Sequence, residues 1–468
     1  MKRIDVLPDD VLLEIFNFYV DLSSWNVVKR KVEEWQSLVH VCRRWRSLIF
    51  QSPRHLNLRL FCTPKTPTRD TLDIWPALPL IVAGNVVLSS DTDNVLAALG
   101  QSNRVCRVEL WLGGWQLEDV LTTMEVSFPE LTYLQLFSQD ESPPVLPDSF
   151  LDGSSPSLRH FLLDGIPFPG LPKLLLSSNH LVCLYLGHIP RSGYISPEDM
   201  VALLSVLSSL VTLTLAFQSP QSFPDWEGRR LPSSKRSILP ALLDFRFRGV
   251  TRYLEDLVTF IDTPQLDHMD INFFHQIDFD CPRLEQFINC TPLRALREAH
   301  VQFDDSSARI MHLYHYGHLE IEISCREPDL QLLSIMQVCN FSLPRPSIVE
   351  DLYIEREHWQ LGWDNDALEI TLWLELLLPF TAVKDLYISR FATDIAAAAL
   401  YELVGGRITE VLPSLQNIFV EGPELLGPFQ ENIRQFLTAR QLSDHSIAVF
   451  NWDKTETLTR KFRETTLS

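Results

Sequence analysis

The stretch PELTYLQL (residues 129–136) decides the fold, and PSLRHFLL (156–163) repeats it 27 residues later. In both, a proline stands two residues before a leucine, and apolar residues follow at the third and fifth positions beyond that leucine. Alternation of this kind is the period of a short strand with one buried face. The proline holds its φ near a turn value, so it stiffens the approach to the strand. The octad Pro-x-Leu-x-x-apolar-x-apolar occurs eight times, and five copies, at Pro129, Pro156, Pro240, Pro264 and Pro413, lie on a longer ladder of apolar hexads. The hexads begin at Val105, Leu131, Leu158, Leu181, Leu210, Leu242, Leu266, Leu296, Tyr316, Val349, Val383 and Leu415, at intervals of 20 to 34 residues.

Segments with helical spacing lie between these strands, at residues 200–207, 254–261 and 393–403. A strand followed by a helix at such a period stacks into a curved solenoid with the strands on its concave face. The pattern resembles the leucine-rich-repeat proteins. It departs from them at the Asn/Cys position after the hexad, which Gln139 and Ile166 occupy, so an irregular α/β solenoid without an asparagine ladder is expected over residues 61–428. The stretches 64–85 and 219–237 break the rhythm. The second is rich in Pro and Ser, carries Arg229, Arg230, Lys235 and Arg236, and reads as a surface loop. After Gly427 and Pro428, helical spacing over 429–440 and alternation over 447–452 predict a capping helix and strand, with a frayed tail from Lys454.

Residues 1–60 have another character. Pro8 suits a first helical turn, Asp9 and Asp10 favour the positive end of a helix, and Val11, Leu12, Ile15, Phe16 and Tyr19 recur at helical spacing. A second apolar face runs from Val28 through Trp35, Val39, Cys42 and Trp45 to Ile49, ahead of Pro53. So much apolar surface on so short a segment leaves part of it for a partner. Leu7-Pro8, the run Leu12 to Phe16, and Val41-Cys42-Arg43-Arg44-Trp45 together resemble an F-box, in the form common in basidiomycete fungi.

The resemblance implies a three-helix module that docks onto a Skp-type adaptor and, through it, a cullin. Carried onto this chain, the docking residues are Leu7, Pro8, Leu12, Ile15, Phe16, Val41, Cys42 and Trp45. The distance from Leu7 to Val41 exceeds that of compact F-boxes by about ten residues, with Ser23 to Glu34 as the insertion. The function implied is that of a substrate-recognition adaptor in a Skp–cullin–F-box ubiquitin ligase, the repeat body binding a protein client. The alternative is a repeat-type scaffold whose N-terminal helices merely cap it, with Leu7 and Pro8 buried.

Charge separates the two parts. Residues 1–60 hold ten Lys/Arg and seven Asp/Glu, whereas the other 408 hold 30 and 53. An acidic body repels a phosphate backbone, so no nucleic-acid partner is expected. The sequence has no GxGxxG, P-loop, GxSxG, HExxH or zinc-spaced Cys/His set, so neither cofactor nor catalytic role is expected. A third reading, an enzyme with an unrecognised pocket, requires convergent titratable residues. The start MKRIDVLPDD has no secretory h-region, no apolar run reaches membrane length, and the eight cysteines show no CxxC, which points to a reducing cytoplasmic or nuclear home. His312, His315 and His318 cluster in sequence; a strand there would disperse the imidazoles rather than gather them on a metal. Trp111, Trp115, Trp226, Trp359 and Trp363 read more readily as core than as a recognition surface.

Overall fold

The computed structural model describes residues 7–20, 34–52, 56, 58–86, 88–138, 140, 142–168, 171–224, 236–276, 279, 281–295, 297–314, 317–340, 346–356, 367–404, 408–422 and 428–452. The chain is mixed α/β and divides into two compact units, Met1–Ile195 and Ser196–Ser468.

The first unit opens with helices α1 (Asp9–Val20), α2 (Glu34–Val39) and α3 (Arg43–Gln51). Six strands follow: β1 (Leu60–Cys62), β2 (Leu80–Val86), β3 (Val105–Leu112), β4 (Tyr133–Ser138), β5 (His160–Asp164) and β6 (Cys183–Ile189). They lie side by side in chain order, each parallel to the next. Parallel neighbours need a crossover, supplied by helices such as Thr68–Ile74, Ser89–Leu99 and Gly114–Thr123. Residues 64–85, expected to break the rhythm, instead hold the helix Thr68–Ile74 and most of β2, so with β1 just before them they complete a strand–helix–strand step. Pro64, Pro67, Pro76 and Pro79 obscure it because they confine the helix to seven residues.

The second unit holds β7 (Thr212–Phe217), β8 (Ser237–Ile238), β9 (Asp244–Gly249), β10 (Ile261–Asp262), β11 (His268–Phe274), β12 (Glu298–Phe303), β13 (Ser307–Tyr314), β14 (Gly317–Ser324), β15 (Asp351–Arg356), β16 (Asp385–Ile388), β17 (Asn417–Glu421) and β18 (Ala448–Trp452). β8 and β10 form a separate parallel pair. The main sheet runs β7-β9-β11-β14-β13-β12-β15-β16-β17-β18. All neighbours are parallel except β13, which is antiparallel to both β12 and β14. A simple strand–helix repeat is thus interrupted at 298–324, where a three-stranded meander enters the sheet in reversed order. The interval from Leu296 to Tyr316, the shortest on the ladder, leaves no room for a crossover helix, and a hairpin strand is the connection that fits.

All twelve hexads fall on strands of these sheets. Each described leading residue stands just ahead of or at its strand, and Leu131, Leu158, Leu181, Leu210, Leu242 and Leu266 are buried. The proline's role is visible in the turns. The Leu131 N–H donates to the Phe128 carbonyl at 3.2 Å, Leu158 to Ser155 at 3.2 Å, Leu242 to Leu239 at 3.4 Å, Leu266 to Thr263 at 3.2 Å and Leu415 to Leu412 at 3.1 Å. Each bond closes a four-residue turn whose second position is the octad's proline, the place its fixed φ suits.

The main sheet of the second unit carries a stack of rings on one face. His300, Tyr353, Tyr387, Phe419 and Phe450 stand in cross-strand register on β12, β15, β16, β17 and β18. Successive centroids are 4.2, 4.1, 4.4 and 5.2 Å apart, with the planes within 22° of parallel. Trp452 lies across Tyr353 and Tyr387 at 5.8 and 5.4 Å. The terminal helix Pro428–Leu442 and β18 match the segments expected to cap the chain, and β18 stands last in the sheet order. No helix among the described residues is long and apolar enough to cross a membrane.

Candidate functional site

The N-terminal helices form a small core of their own. Leu12 and Phe16 on α1 are fully buried, and Phe16 meets the Trp45 ring on α3 at 4.7 Å. Leu38, Val39, Leu48 and Ile49 complete the interior. α3 is capped by Cys42, whose Sγ accepts the Trp45 N–H at 3.5 Å. Arg44 ties the last helix to the start of the first: its Nη2 donates to the Leu7 carbonyl and to Asp9 Oδ1, both at 2.6 Å, and its Nε to Asp9 Oδ1 at 3.1 Å. Asp9 and Arg44 are partly exposed, so this clamp sets geometry more than it adds stability.

The core accounts for only one stripe of α1. Val11 and Ile15 are 40% and 42% exposed, Phe18 is 88% exposed, and Val41, in the turn before α3, is 58% exposed. Pro8 is also exposed, while Leu7 and Cys42 are half-buried. The eight residues singled out above therefore separate: Leu12, Phe16 and Trp45 are interior, Pro8, Ile15 and Val41 are at the surface, and Leu7 and Cys42 lie between. Sequence reasoning missed Phe18 and Arg44. Phe18 stands seven residues after Val11 and three after Ile15, a second stripe beside Leu12 and Phe16 that one short helix cannot bury together with the first.

The other candidate clusters fall elsewhere. His312 on β13 is wholly buried, and neither ring nitrogen has a hydrogen-bond partner among the described residues. Its burial, with a smaller push from His300, lowers its pKa to about 3. His318 on β14 is half-buried; its Nε2 stands 3.2 Å from both Asp270 and Glu320, and the Asp270 bond, then the Glu320 bond, raise it to about 9. His315 lies outside the described residues. Asp270, His318 and Glu320 converge closely enough to hold a cation. The same carboxylates, however, face Arg246 at 3.4 Å and Arg309 at 3.8 Å, so the cluster is already compensated by three positive groups. His300 bridges Glu298 at 2.7 Å and Glu355 at 3.1 Å; burial opposes its charge, but the two glutamates outweigh burial and leave its pKa raised.

Of the tryptophans, Trp111 is half-buried and Trp115 is 52% exposed, so neither is core; Trp226, Trp359 and Trp363 lie outside the described residues, as does most of the basic stretch 219–237. Trp111 stacks on Phe137 at 5.5 Å and borders a cavity of about 410 Å³ on the face of the first unit's sheet.

No curated protein matches the chain. Residues 4–59, about an eighth of its length, match the family model described as F-box-like, and the three-helix module with its uncovered apolar stripe is thus an F-box-like domain.

Proposed function

We propose that this chain is the substrate-recognition subunit of a Skp–cullin–F-box ubiquitin ligase. The observation that carries the reading is the division of apolar residues in the N-terminal module. Leu12, Phe16 and Trp45 make a core without help from Val11, Ile15, Phe18 and Val41, which remain at the surface. An apolar stripe on a short helix, beside an exposed valine in the adjoining turn, suits a groove on a partner protein. Burying an Ile or Val side chain there is worth about 1.5–3 kcal/mol.

In this reading the Skp-type adaptor covers that stripe and connects the chain to a cullin. The strand–helix body is an irregular leucine-rich-repeat-like solenoid whose sheet face holds a protein client. Catalysis belongs to the assembly. The chain's contribution is to raise the local concentration of a client lysine near the activated ubiquitin thioester, in the cytoplasm or nucleus.

A pull-down with a fungal Skp-type adaptor tests the assignment. The native chain is expected to retain the adaptor. The double variant Ile15→Asp/Val41→Asp is expected to lose roughly 100-fold in affinity, since two carboxylates desolvated in an apolar interface cost several kcal/mol. Both positions are exposed, so its thermal midpoint should stay near the native value. The double variant Leu7→Ala/Pro8→Ala is expected to weaken capture as well. Retention that survives Ile15→Asp/Val41→Asp undiminished would place the adaptor elsewhere.

A further inference from the structure

The cavity beside Trp111 is lined by Phe61 on β1, Thr63, Pro64 and Lys65 in the turn after it, Ala83, Gly84 and Asn85 on β2, and Glu109 and Trp111 on β3. Its lining is mostly apolar and carries two ionisable groups. Glu109 is already engaged by the Arg107 guanidinium, which in turn lies 3.8 Å over the Tyr133 ring. Lys65 is exposed and has no carboxylate partner among the described residues. The cavity thus presents one uncompensated positive charge in a body whose net charge is strongly negative. Beside it stands an indole stacked on Phe137.

The walls are fixed before anything binds. Thr63 donates its N–H to Thr66 Oγ1 at 3.0 Å, the Thr66 N–H returns to the Thr63 carbonyl at 2.9 Å, and Asn94 Nδ2 holds the Pro64 carbonyl at 2.8 Å. Gly84 lets the Pro64 ring pack straight onto the strand: a Cβ there would fall 2.5 Å from Pro64 Cδ, at a backbone φ of +147° that side chains disfavour. A preset pocket spends little of its binding free energy on ordering itself.

We infer that this cavity anchors the client: it takes one aromatic or large aliphatic side chain of a protein segment against Trp111 and Phe61, with a neighbouring Asp or Glu carboxylate paired to Lys65. The inference rests on the client-binding reading above and names the chemistry of the segment. The volume suits one large side chain with its flanking backbone, and the unpaired ammonium selects an anionic neighbour over a basic one.

The test is to pan a phage-displayed dodecapeptide library on the purified full-length chain. Enriched peptides are expected to carry Asp or Glu within two positions of an aromatic or large aliphatic residue. A synthetic copy of the best peptide, followed by fluorescence anisotropy, should bind Lys65→Glu and Trp111→Leu at least tenfold more weakly. Replacing its acidic residue with the amide should cost about tenfold with the native chain and nothing further with Lys65→Glu. Because Lys65 is exposed, that variant keeps the native thermal midpoint and isolates the charge. Lack of enrichment, enrichment of basic peptides, or equal binding to all variants overturns the inference. So does N-acetylphenylalanine displacing the peptide at equal concentration, which would make the cavity a small-molecule site. Adaptor capture by Lys65→Glu should match the native chain, so a failed adaptor assay and a failed peptide assay read separately.

Discussion

Acidification from pH 7 to pH 5 is expected to withdraw about 2 kcal/mol of stability through His312. Its pKa is 6.5 when unfolded and about 3 in the fold, because the wholly buried ring is desolvated and sits near His300. The unfolded chain then binds the extra proton throughout that window. A depressed histidine contributes stability that is complete above its unfolded pKa and is lost as pH falls toward the folded value. His318 works in the opposite sense. Its pKa is raised from 6.5 to about 9 by Asp270 and Glu320, so its contribution is complete below 6.5 and fades as pH rises toward 9. Asp304, lowered from 3.8 to about 2 by its bonds to Ser306, Arg309 and Ser307 against the opposing effect of burial, loses its contribution only below pH 4. Between pH 5 and 6.5 His312 carries the largest share of the loss; His160, whose pKa burial and then Arg107 also lower, adds to it, and the raised His300 and His318 work against it. Urea titrations at pH 5 and 7 should show about 2 kcal/mol more loss on acidification in the native chain than in His312→Leu. At pH 5 the Leu variant should be the more stable protein, because it also removes two ring nitrogens without partners.

The second large effect is in the ring stack of the second unit. Tyr353→Ala is expected to destabilise the chain by about 3–5 kcal/mol, as removal of a buried aromatic does. Tyr353 is 4% exposed and lies 4.2 Å from the His300 ring and 4.1 Å from Tyr387, so its loss opens a cavity in the middle of the row. It also leaves His300, held between Glu298 and Glu355, without a ring face beside it. Phe450 is 46% exposed at the end of the same stack, and Phe450→Ala should cost about 1 kcal/mol or less. Urea midpoints of the two variants, compared at neutral pH, would reveal the gradient. Equal losses would mean that the stack does not act as a buried row.

The strand positions were legible because their signal is local: a proline at the second position of a turn, a leucine closing it, then alternation. The order of strands was not. Nothing in the hexads at Leu296 and Tyr316 distinguishes a parallel step from a reversed meander, and only the 20-residue interval betrays β13. The step from β1 to β2 was hidden for a different reason, four prolines around a helix of seven residues. In the N-terminal module the apolar faces were readable, but not which stripe turns inward. Leu12 and Ile15 are equally apolar and three residues apart, and only the place of Trp45 and Arg44 decides that one is core and the other surface. The pairing of Trp111 with Phe137, and the free Lys65 beside it, depend on register between strands distant in the chain.

Hydroxyl-radical footprinting of the chain with and without a purified Skp-type adaptor tests the central claim most directly, since it reads side-chain exposure residue by residue. Phe18, Val41 and Ile15 should oxidise readily in the free chain and be protected in the complex, while Ile74 at 74% exposure and Trp115 at 52% should react equally in both. Unchanged oxidation at Phe18, Ile15 and Val41 in the presence of excess adaptor would contradict the account and leave the module as a cap on its own chain.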